Sequence, residues 1–259
     1  MHGLGNDYLY VYSNEGPKNA PELSVKLSER HFGAGSDGMI WILPSYKADF
    51  KMRIFNADGS EAKMCGNGIR CVGKYVFDKG YTDKTELEIE TLSGIKTLSL
   101  KTENGKVSSV SVGMGRAEVS ADKEISVCGK TVLCTPVSMG NPHAVIFTED
   151  ADNAPLTTLG AAIEKHETFP GGVNVEFVTV ISDTELRMRV WERGSGITMA
   201  CGTGACASAA AAVSKGFCKP DEDIAVKLDG GTLHIKISKN ADVTMNGPAE
   251  FIYEGETME

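Results

Sequence analysis

Long apolar runs, a surplus of basic residues and paired cysteine motifs are all missing from this sequence of 259 residues. No stretch approaches the ~20 apolar residues that a membrane-spanning helix requires. The N-terminal residues combine neither a basic region nor a long apolar region, so we expect no signal peptide. Acidic residues outnumber basic ones by 35 to 26, which gives a net charge of −9. This balance argues against nucleic acid as a partner, because nucleic-acid binding usually selects a basic face.

The seven cysteines are an odd number, and none of them forms a Cys-x-x-Cys pair. This usage indicates reduced thiols in a cytoplasmic protein. Five cysteines lie in apolar or strand-like contexts and are predicted to be small buried residues: Cys71, Cys128, Cys134, Cys206 and Cys218. A zinc site built from Cys65, Cys71, Cys201 and Cys206 is disfavoured, because their spacings fit the usual ligand pattern poorly. We therefore predict no metal.

The most distinctive stretch is 56–71, in which Cys65 immediately precedes Gly66-Asn67-Gly68. The apolar residues that follow have the spacing of one helix face, so we expect a helix to begin directly after the cysteine. The first N–H groups of a helix have no partner inside it, and the helix dipole is positive there. Such a helix start can bind a carboxylate or phosphate, and it is expected to lower the pKa of the adjacent thiol.

The same construction returns 136 positions later, where Cys201 precedes Gly202-Thr203-Gly204 and a helix of small residues. One Cys-Gly-x-Gly is a weak signal, but two at equivalent places in the two halves are a strong one. Gly5-Asn6 corresponds in the same way to Gly140-Asn141. An internal repeat of about 130 residues is too long for a solenoid unit and predicts two homologous domains.

The fold class predicted from these patterns is α/β, with two homologous domains at residues 1–113 and 114–247. A C-terminal strand, 248–259, is expected to complete the first domain. Two such domains usually pack about a pseudo-two-fold axis, and a cleft between domains is a preferred ligand site. Cys65 and Cys201 would then face each other across that cleft.

Short strands dominate the expected secondary structure, because runs rich in aromatic and β-branched residues alternate with turn residues. Helices are predicted at 21–30, after Cys65, at 155–165 and after Cys201. Strands are predicted at 8–12, 39–43, 51–55, 86–91, 95–100 and 107–112 in the first half, and at 144–147, 173–181, 185–191, 224–228, 232–237 and 243–246 in the second.

Two thiols that face one carboxylate site suggest a specific reaction. If a substrate carboxylate rests on the amides of Gly66-Asn67 and Gly202-Thr203, its α-carbon lies between the two sulfurs. One cysteine as thiolate can remove the α-proton, and the other as thiol can deliver a proton to the opposite face. Two helix N-termini stabilise the charge that develops on the carboxylate. No pyridoxal cofactor is then required, and we predict no cofactor.

The residues that flank these motifs suit a polar, zwitterionic ligand. Arg193 could hold a second carboxylate through its planar guanidinium, and Glu192 could accept from an ammonium group. His143 could orient or tune its neighbours. Four amides in Gly-rich or strand-edge positions complete the candidate binding set: Asn6, Asn56, Asn141 and Asn174.

Four segments together resemble the signature segments of the diaminopimelate epimerase family, in the same order along the chain. They are Met1-His2-Gly3-Leu4-Gly5-Asn6-Asp7, Asn56-Ala57-Asp58-Gly59-Ser60-Glu61 with Met64-Cys65-Gly66-Asn67-Gly68, Gly140-Asn141-Pro142-His143, and Glu192-Arg193-Gly194 with Ala200-Cys201-Gly202-Thr203-Gly204-Ala205. The resemblance implies interconversion of LL- and meso-2,6-diaminopimelate, on the route to lysine and, in many bacteria, to peptidoglycan. It also implies that each domain is a β-barrel-like sheet around a central helix, and it suggests a homodimer.

The resemblance assigns a role to each candidate residue. Cys65 and Cys201 become the two acid/base residues, and His143 and Glu192 influence the thiols. The substrate-binding residues become Asn6, Asn56, Gly66, Asn67, Asn141, Asn174, Glu192, Arg193, Gly202 and Thr203. Gly38 stands where some members have a glutamine, and Ile197 stands where a glutamate is common.

Three other functions are compatible with the motifs. A proline-racemase-like enzyme also uses two opposed cysteines, although Arg193 and the asparagines favour an acyclic substrate. A thiol redox protein would retain peroxide or disulfide turnover in a Cys201→Ser variant. A non-catalytic amino-acid-binding module would bind its ligand without exchanging the α-proton.

Overall fold

The computed structural model describes residues 1–16 and 18–257. The chain divides into two compact units. Unit 1 comprises residues 1–113 together with 247–259, and unit 2 comprises residues 114–246. The fold class is mixed α/β with few helices, as predicted.

Unit 1 contains two helices and nine strands, and the last of these strands, β9, extends beyond residue 113 into unit 2. The strands are β1 (His2–Gly3), β2 (Asn6–Asp7), β3 (Leu9–Tyr12), β4 (Gly38–Leu43), β5 (Phe50–Asn56), β6 (Glu61–Ala62), β7 (Glu86–Thr91), β8 (Gly94–Glu103) and β9 (Lys106–Arg116), and the helices are α1 (Ala20–Ser28) and α2 (Gly66–Asp78). Glycine brings α2 close to the sheet, because a Cβ at Gly73 would lie 2.8 Å from Leu98 Cδ2.

Unit 2 holds the remaining elements. Its strands are β10 (Glu118–Val119), β11 (Lys123–Val127), β12 (Lys130–Ser138), β13 (Pro142–Phe147), β14 (Asn174–Ser182), β15 (Glu185–Glu192), β16 (Gly196–Ile197), β17 (Asp223–Leu228), β18 (Gly231–Ile237) and β19 (Asp242–Gly247). Its helices are α3 (Ala161–Glu164) and α4 (Gly202–Ser214). Helix α4 is lined by buried alanines and contacts strands β12–β15, β17 and β18, so the sheet surrounds it.

The strand pairing of unit 1 is repeated step by step in unit 2. The parallel pair β3–β4 corresponds to β13–β14, and the parallel pair β5–β7 corresponds to β15–β17. The antiparallel pairs between them also correspond: β4–β5 with β14–β15, β5–β6 with β15–β16 and β7–β8 with β17–β18. The registers match as well, since Leu9 pairs with Met39 and Ala144 pairs with Val175. The sequence repeat is therefore a repeat of topology.

Two predicted elements differ in the structure. The predicted strand 248–259 is not a strand in its described part, since 248–257 forms only an isolated bridge from Glu250 to His2. Pro248 lacks an N–H and so cannot continue the ladder of β19. The last two residues of that predicted strand, 258 and 259, lie outside the described residues. The predicted helix 155–165 is a wider π-type turn, Leu156–Gly160, followed by the short α3.

The hairpin formed by β11 and β12 was not predicted. Its turn shows that the predicted burial of one cysteine, Cys128, is wrong. Cys128 and Gly129 connect the strands with φ values of +52° and +70°. Two residues with positive φ between antiparallel strands form a type I′ turn. Cys128 is therefore exposed rather than buried. The other four cysteines predicted to be buried are buried: Cys71, Cys134, Cys206 and Cys218.

Candidate functional site

Cys65 occupies the N-cap position of α2. Its backbone is extended, with φ −138° and ψ 117°, and the helix begins at the next residue. The Cys65 Sγ accepts a hydrogen bond from the Gly68 N–H at 3.3 Å. The thiol thus takes one of the amides that the helix itself leaves without an acceptor.

Cys201 occupies the same position at the start of α4. Its φ of −115° and ψ of 108° are also extended, and its Sγ accepts from the Gly204 N–H at 3.3 Å. Cys201 is buried, whereas Cys65 is half-buried. The two repeats therefore build the same thiol-capped helix start with different exposure.

Glycine is required at the third residue of each helix because the helix start lies directly on the sheet. A Cβ at Gly68 would stand 2.6 Å from Ile40 Cδ1, and a Cβ at Gly204 would stand 2.8 Å from Glu176 Oε1. Heavy atoms in folded proteins do not approach that closely without a shift of the backbone. The motif therefore reflects close packing as well as amide exposure.

In unit 1 a side-chain network holds Cys65. The Cys65 thiol donates to Asn6 Oδ1 at 3.4 Å, and Asn6 Nδ2 donates to Asp37 Oδ2 at 2.8 Å. Asp37 also accepts from the Asp7 amide at 3.1 Å. The carboxylate of Asp37 thus fixes the orientation of the Asn6 amide and directs its oxygen towards the sulfur.

Asn56 lies at the end of β5, where it pairs with Gly38 of β4. Its Nδ2 donates to Ser60 Oγ at 3.0 Å, and its Oδ1 accepts from Tyr8 Oη at 3.5 Å. Gly38 has a φ of +151°, and a Cβ there would meet the Phe55 carbonyl oxygen at 2.2 Å. This backbone can therefore carry only glycine at position 38, which explains why no side chain stands there.

A buried arginine fixes the loop after Cys65. Arg70 is fully buried. Its Nη1 donates to the Gly66 carbonyl at 3.2 Å, and its Nη2 donates to Asn67 Oδ1 at 3.0 Å. Its Nε donates to the Pro248 carbonyl at 3.1 Å. The side chain of Asn67 is thereby turned inwards, which leaves its backbone as the part of the residue that could meet a carboxylate.

In unit 2 a longer chain of contacts leads to Cys201. His143 Nε2 lies 3.2 Å from Asn141 Oδ1, and Asn141 Nδ2 donates to Thr203 Oγ1 at 3.3 Å. Thr203 Oγ1 lies 3.7 Å from the Cys201 sulfur. Asn141 is the repeat partner of Asn6, so an asparagine stands near the thiol in both units.

Glu192 lies at the end of β15 and is the repeat partner of Asn56. Its carboxylate accepts from Thr198 Oγ1 and interacts with the Cys201 thiol. Burial raises the pKa of Glu192, although its hydrogen bonds to Thr198 and Cys201 oppose this shift.

The pKa predicted for Cys201 from its helix position is wrong. Burial raises the pKa of the Cys201 thiol well above its ordinary value, and the carboxylates of Glu192 and Glu176 raise it further. The hydrogen bonds from Thr203 and Gly204 act in the opposite direction but are weaker. Desolvation of a thiolate thus outweighs the favourable helix N-terminus. The direction of this pKa shift favours the protonated thiol at Cys201.

Asn174 and Arg193 are held mainly by the backbone. Asn174 Nδ2 donates to the Pro142 carbonyl at 3.1 Å, and its Oδ1 accepts from the Arg193 amide at 2.9 Å. Arg193 is exposed, and its Nη1 donates to the Gly171 carbonyl at 3.2 Å. Asn174 therefore positions the chain around Arg193, whose guanidinium keeps donors available for a ligand.

The structure thus groups the predicted site residues within each unit. Unit 1 brings together Asn6, Cys65, Gly66 and Asn67, with Asn56 nearby on the sheet; unit 2 brings together Asn141, His143, Glu192, Cys201, Gly202 and Thr203, with Asn174 and Arg193 next to Glu192. Sequence reasoning missed Asp37, Arg70 and Glu176. A charged residue inside an apolar run, such as Glu176 in Val-Glu-Phe-Val, was the signal that could have identified the last of these.

The difference in exposure between the thiols predicts a difference in reactivity. At pH 7.5 iodoacetamide is expected to alkylate Cys65 at least tenfold faster than Cys201, because Cys201 is buried and its pKa is raised. Raising the pH through the raised pKa increases the thiolate fraction of Cys201, so its relative rate should increase at alkaline pH. Peptide mass spectrometry measures both sites, with the exposed Cys128 as an internal reference. Equal rates for Cys65 and Cys201 at pH 7.5 would contradict the assignment.

Metal-binding clusters and membrane-spanning helices are both absent from the part of the chain that the structure describes. In the described ranges 1–16 and 18–257, no three His, Cys, Asp or Glu side chains cluster in a way that could hold a metal ion. None of the helices in those ranges has the length and apolar character that a membrane crossing demands.

Solved structures with this fold include two amino-acid-related enzymes. A hydroxyproline epimerase from Agrobacterium vitis superimposes with a TM-score of 0.71 at 18% identity, covering 95% of this chain and 87% of that one. A probable proline racemase from Agrobacterium radiobacter superimposes with a TM-score of 0.72 at 17% identity, covering 100% and 92%. At these identities the likeness concerns the fold.

A two-domain α/β fold and a thiol-capped helix start in each repeat define the structural class of the protein, and its named relatives identify it as an epimerase and hence an isomerase. The family model described as "Diaminopimelate epimerase" matches residues 1–120 and 135–252. The chain belongs to the diaminopimelate epimerase family. Its relatives of that name include proteins from Acetivibrio thermocellus, 51% identical over 99% of this chain and 96% of the relative, and Methanococcus maripaludis, 51% identical over 99% and 97%. The Bacillus licheniformis relative is 49% identical over 99% and 96%.

Proposed function

We propose that this protein interconverts LL- and meso-2,6-diaminopimelate in lysine biosynthesis, with Cys65 and Cys201 as the two acid/base residues. The observation that carries the proposal is the repeated thiol at a helix N-cap, once in each unit. Membership of the diaminopimelate epimerase family supports diaminopimelate as the substrate.

The substrate carboxylate is proposed to bind to the backbone amides of Gly66, Asn67, Gly202 and Thr203. These are the first two residues of α2 and of α4. The sulfurs already accept the amides of the third residues, Gly68 and Gly204. A carboxylate at the remaining amides is stabilised by the positive helix ends, and this stabilisation grows as carbanion charge spreads onto its oxygens.

The raised pKa of Cys201 supports an assignment of roles in the resting enzyme. Cys201 carries its proton and acts as the acid. Cys65 acts as the base after its thiol proton, which hydrogen-bonds to Asn6 in the structure, has passed to solvent. The bond from Cα to hydrogen breaks, its electron pair stays on Cα and the carboxylate, and the proton passes to the Cys65 sulfur. The Cys201 S–H bond then breaks and its proton forms the new Cα–H bond on the opposite face. The cycle ends with a Cys65 thiol and a Cys201 thiolate, which is the starting state for the reverse reaction.

The remaining candidates are proposed to bind or tune. Arg193 would hold the distal carboxylate through its guanidinium, and Glu192 would accept from an ammonium group. Asn6 and Asn141 would contact substrate beside the sulfurs, and Asn56 and Asn174 would do so from the sheet. His143 and Glu192 would set the pKa of Cys201 in the occupied site. This chemistry uses only protein groups, so we propose that the reaction needs no cofactor.

The cellular setting is also a proposal. All seven cysteines are in the reduced form. Reduced thiols are typical of a cytoplasmic environment, and two of them are required in this form by the proposed chemistry. We propose a cytoplasmic enzyme, with a homodimer as the assembly to test by light scattering.

Isotope exchange tests the proposed reaction directly. Purified protein incubated with LL-diaminopimelate in D2O, without added cofactor, is expected to form the meso isomer and to place deuterium at the inverted α-carbon. Nuclear magnetic resonance and chiral chromatography measure the two events. L-Proline and trans-4-hydroxy-L-proline serve as control substrates and are expected to gain no deuterium. Binding of diaminopimelate without α-exchange would reject the reaction, and exchange into proline would favour the proline-racemase alternative.

A further inference from the structure

A carboxylate lies beneath the thiol-capped helix of unit 2, where unit 1 has an apolar side chain. Glu176 of β14 is fully buried and faces the start of α4. Its repeat partner, Ile40 of β4, has the same position beneath α2. A Cβ on Gly204 would meet Glu176 Oε1, just as a Cβ on Gly68 would meet Ile40 Cδ1. The two half-sites share a backbone and differ in charge at this position.

The Glu176 carboxylate has one strong partner. Its Oε1 lies 2.6 Å from His143 Nδ1, and both side chains are fully buried. Its Oε2 is also buried and has no hydrogen-bond partner among the described residues. Burying a carboxylate with one oxygen unsatisfied destabilises the folded state. Packing alone therefore does not account for a glutamate where an isoleucine fills the equivalent space.

Contacts from Glu176 lead to the sulfur by two routes. The first runs through His143, whose Nε2 lies 3.2 Å from Asn141 Oδ1, and then through Thr203, whose Oγ1 lies 3.7 Å from Cys201 Sγ. The second runs through Gly204, which lies against Oε1 and donates its N–H to the same sulfur at 3.3 Å. One carboxylate thus adjoins both sets of groups that surround the Cys201 thiol.

We propose that Glu176 is a positioning residue of the epimerase site, which holds His143 against Asn141 and keeps Cys201 protonated in the resting enzyme. This inference rests on the proposed function, because it explains how two equivalent thiols come to start as different species. The carboxylate acts on Cys201 through space and through the residues that it orients, and it has no contact with substrate in this scheme.

The charged groups around α4 support the role proposed for Glu176. Glu192, from the end of β15, and Glu176, from β14, both raise the pKa of Cys201. His143, from β13, adjoins Glu176 and opposes the rise in the pKa of Glu192. Asp122 pairs with Lys215 at the opposite end of the helix and also accepts from Thr135 of β12. Glu176 is therefore the charged group that lies directly under the N-terminus of α4.

The test uses Glu176→Gln, which keeps the shape and removes the charge, and Glu176→Ile, which restores the residue of unit 1. In both variants iodoacetamide is expected to alkylate Cys201 about tenfold faster at pH 8, which corresponds to a fall of one unit in its pKa. The alkaline limb of the pH profile of kcat/KM should move to lower pH by the same amount. Glu185→Gln removes a half-buried carboxylate at the start of β15, which pairs with Lys227. It is the matched control and should leave both readouts unchanged.

A double-mutant cycle separates positioning from general damage. In a His143→Gln background, Glu176→Gln is expected to change kcat/KM by less than half of its effect in the wild-type background, because the positioning route is already broken. Unchanged Cys201 alkylation together with an unmoved alkaline limb would overturn the proposal, even if the melting temperature fell. If Glu176→Gln failed to fold, the alkylation rate of Cys201 in Glu176→Ile and in His143→Gln would still test the proposal.

Failure of the proposed function gives a different pattern. Alkylation of Cys201 requires no substrate, so its response to Glu176→Gln reports on the carboxylate alone. A wild-type protein that does not exchange the α-proton of diaminopimelate, but whose Cys201 still becomes more reactive in Glu176→Gln, would reject the reaction and retain the electrostatic effect of Glu176.

Discussion

Replacement of Cys65 or Cys201 by serine is expected to lower kcat for epimerisation by a factor of about 10² to 10⁴. This is the range that a positioned acid or base usually contributes, and a hydroxyl has too high a pKa to take over either role. Each cysteine is the N-cap of its helix, and serine is itself a favourable N-cap residue. The variants should therefore keep the fold while losing the chemistry.

Cys128→Ser is the matched control for these two variants, since Cys128 is an exposed thiol in a hairpin turn. It should keep full activity. Circular dichroism and thermal unfolding of all three variants verify that the loss is chemical. Near wild-type turnover in either Cys65→Ser or Cys201→Ser would reject the two-thiol mechanism.

The second large effect is expected on stability. Arg70→Met should lower the free energy of unfolding of unit 1 by about 3 to 5 kcal/mol, because it removes the donors for two buried acceptors and one partly buried acceptor. These acceptors are the Gly66 and Pro248 carbonyls and Asn67 Oδ1. Arg70→Lys should recover only part of the loss, since a single ammonium cannot reproduce the planar fork.

Arg53→Met is the control for the Arg70 variants. Arg53 forms a two-point ion pair with Glu61 nearer to the surface of the same unit. Its loss should cost about 1 kcal/mol or less. Urea unfolding and hydrogen exchange of the α2 amides measure both effects. If Arg70→Met proved as stable as Arg53→Met, the buried guanidinium would not be the anchor of the loop after Cys65.

The sequence predicted those helices and strands in which apolar residues recur with a clear helical or strand period. Both thiol-capped helices occur, as do the twelve strands predicted between residues 8 and 246, with bounds that differ from the prediction by at most four residues. The thirteenth predicted strand, 248–259, does not form in its described part. The apolar faces that α2 and the strands bury are determined locally by residue spacing, and so they can be read before the structure is known. The repeat in sequence likewise predicted the repeat in pairing.

The contacts that the buried charged residues make could not be predicted in this way. Arg70 has the spacing of a surface residue at a helix start, and its partners include Pro248, 178 positions away. Glu176 occupies a strand position whose neighbour in the fold, His143, comes from another strand. Contacts of this kind depend on which strands become adjacent, and no local pattern encodes them. The raised pKa of Cys201 belongs to the same group, because burial decides it.

The short elements were missed for a different reason. Strands of two residues, such as β1, β6 and β16, are too short to show a period of two. The β11–β12 hairpin was missed because its turn uses Cys128 in a conformation that asparagine or glycine normally adopts.

The hydrogen bond from Arg70 to the Pro248 carbonyl also has a consequence for the order in which the two units can fold during synthesis. Residues 247–257 join the unit to which residue 1 belongs, where His2 and Glu250 exchange backbone hydrogen bonds. During translation, therefore, all of unit 2 is synthesised before the last segment of unit 1 has been made. Nascent chains that stop at residue 246 would carry a complete second repeat and an unfinished first one, with the loop after Cys65 still lacking its anchor.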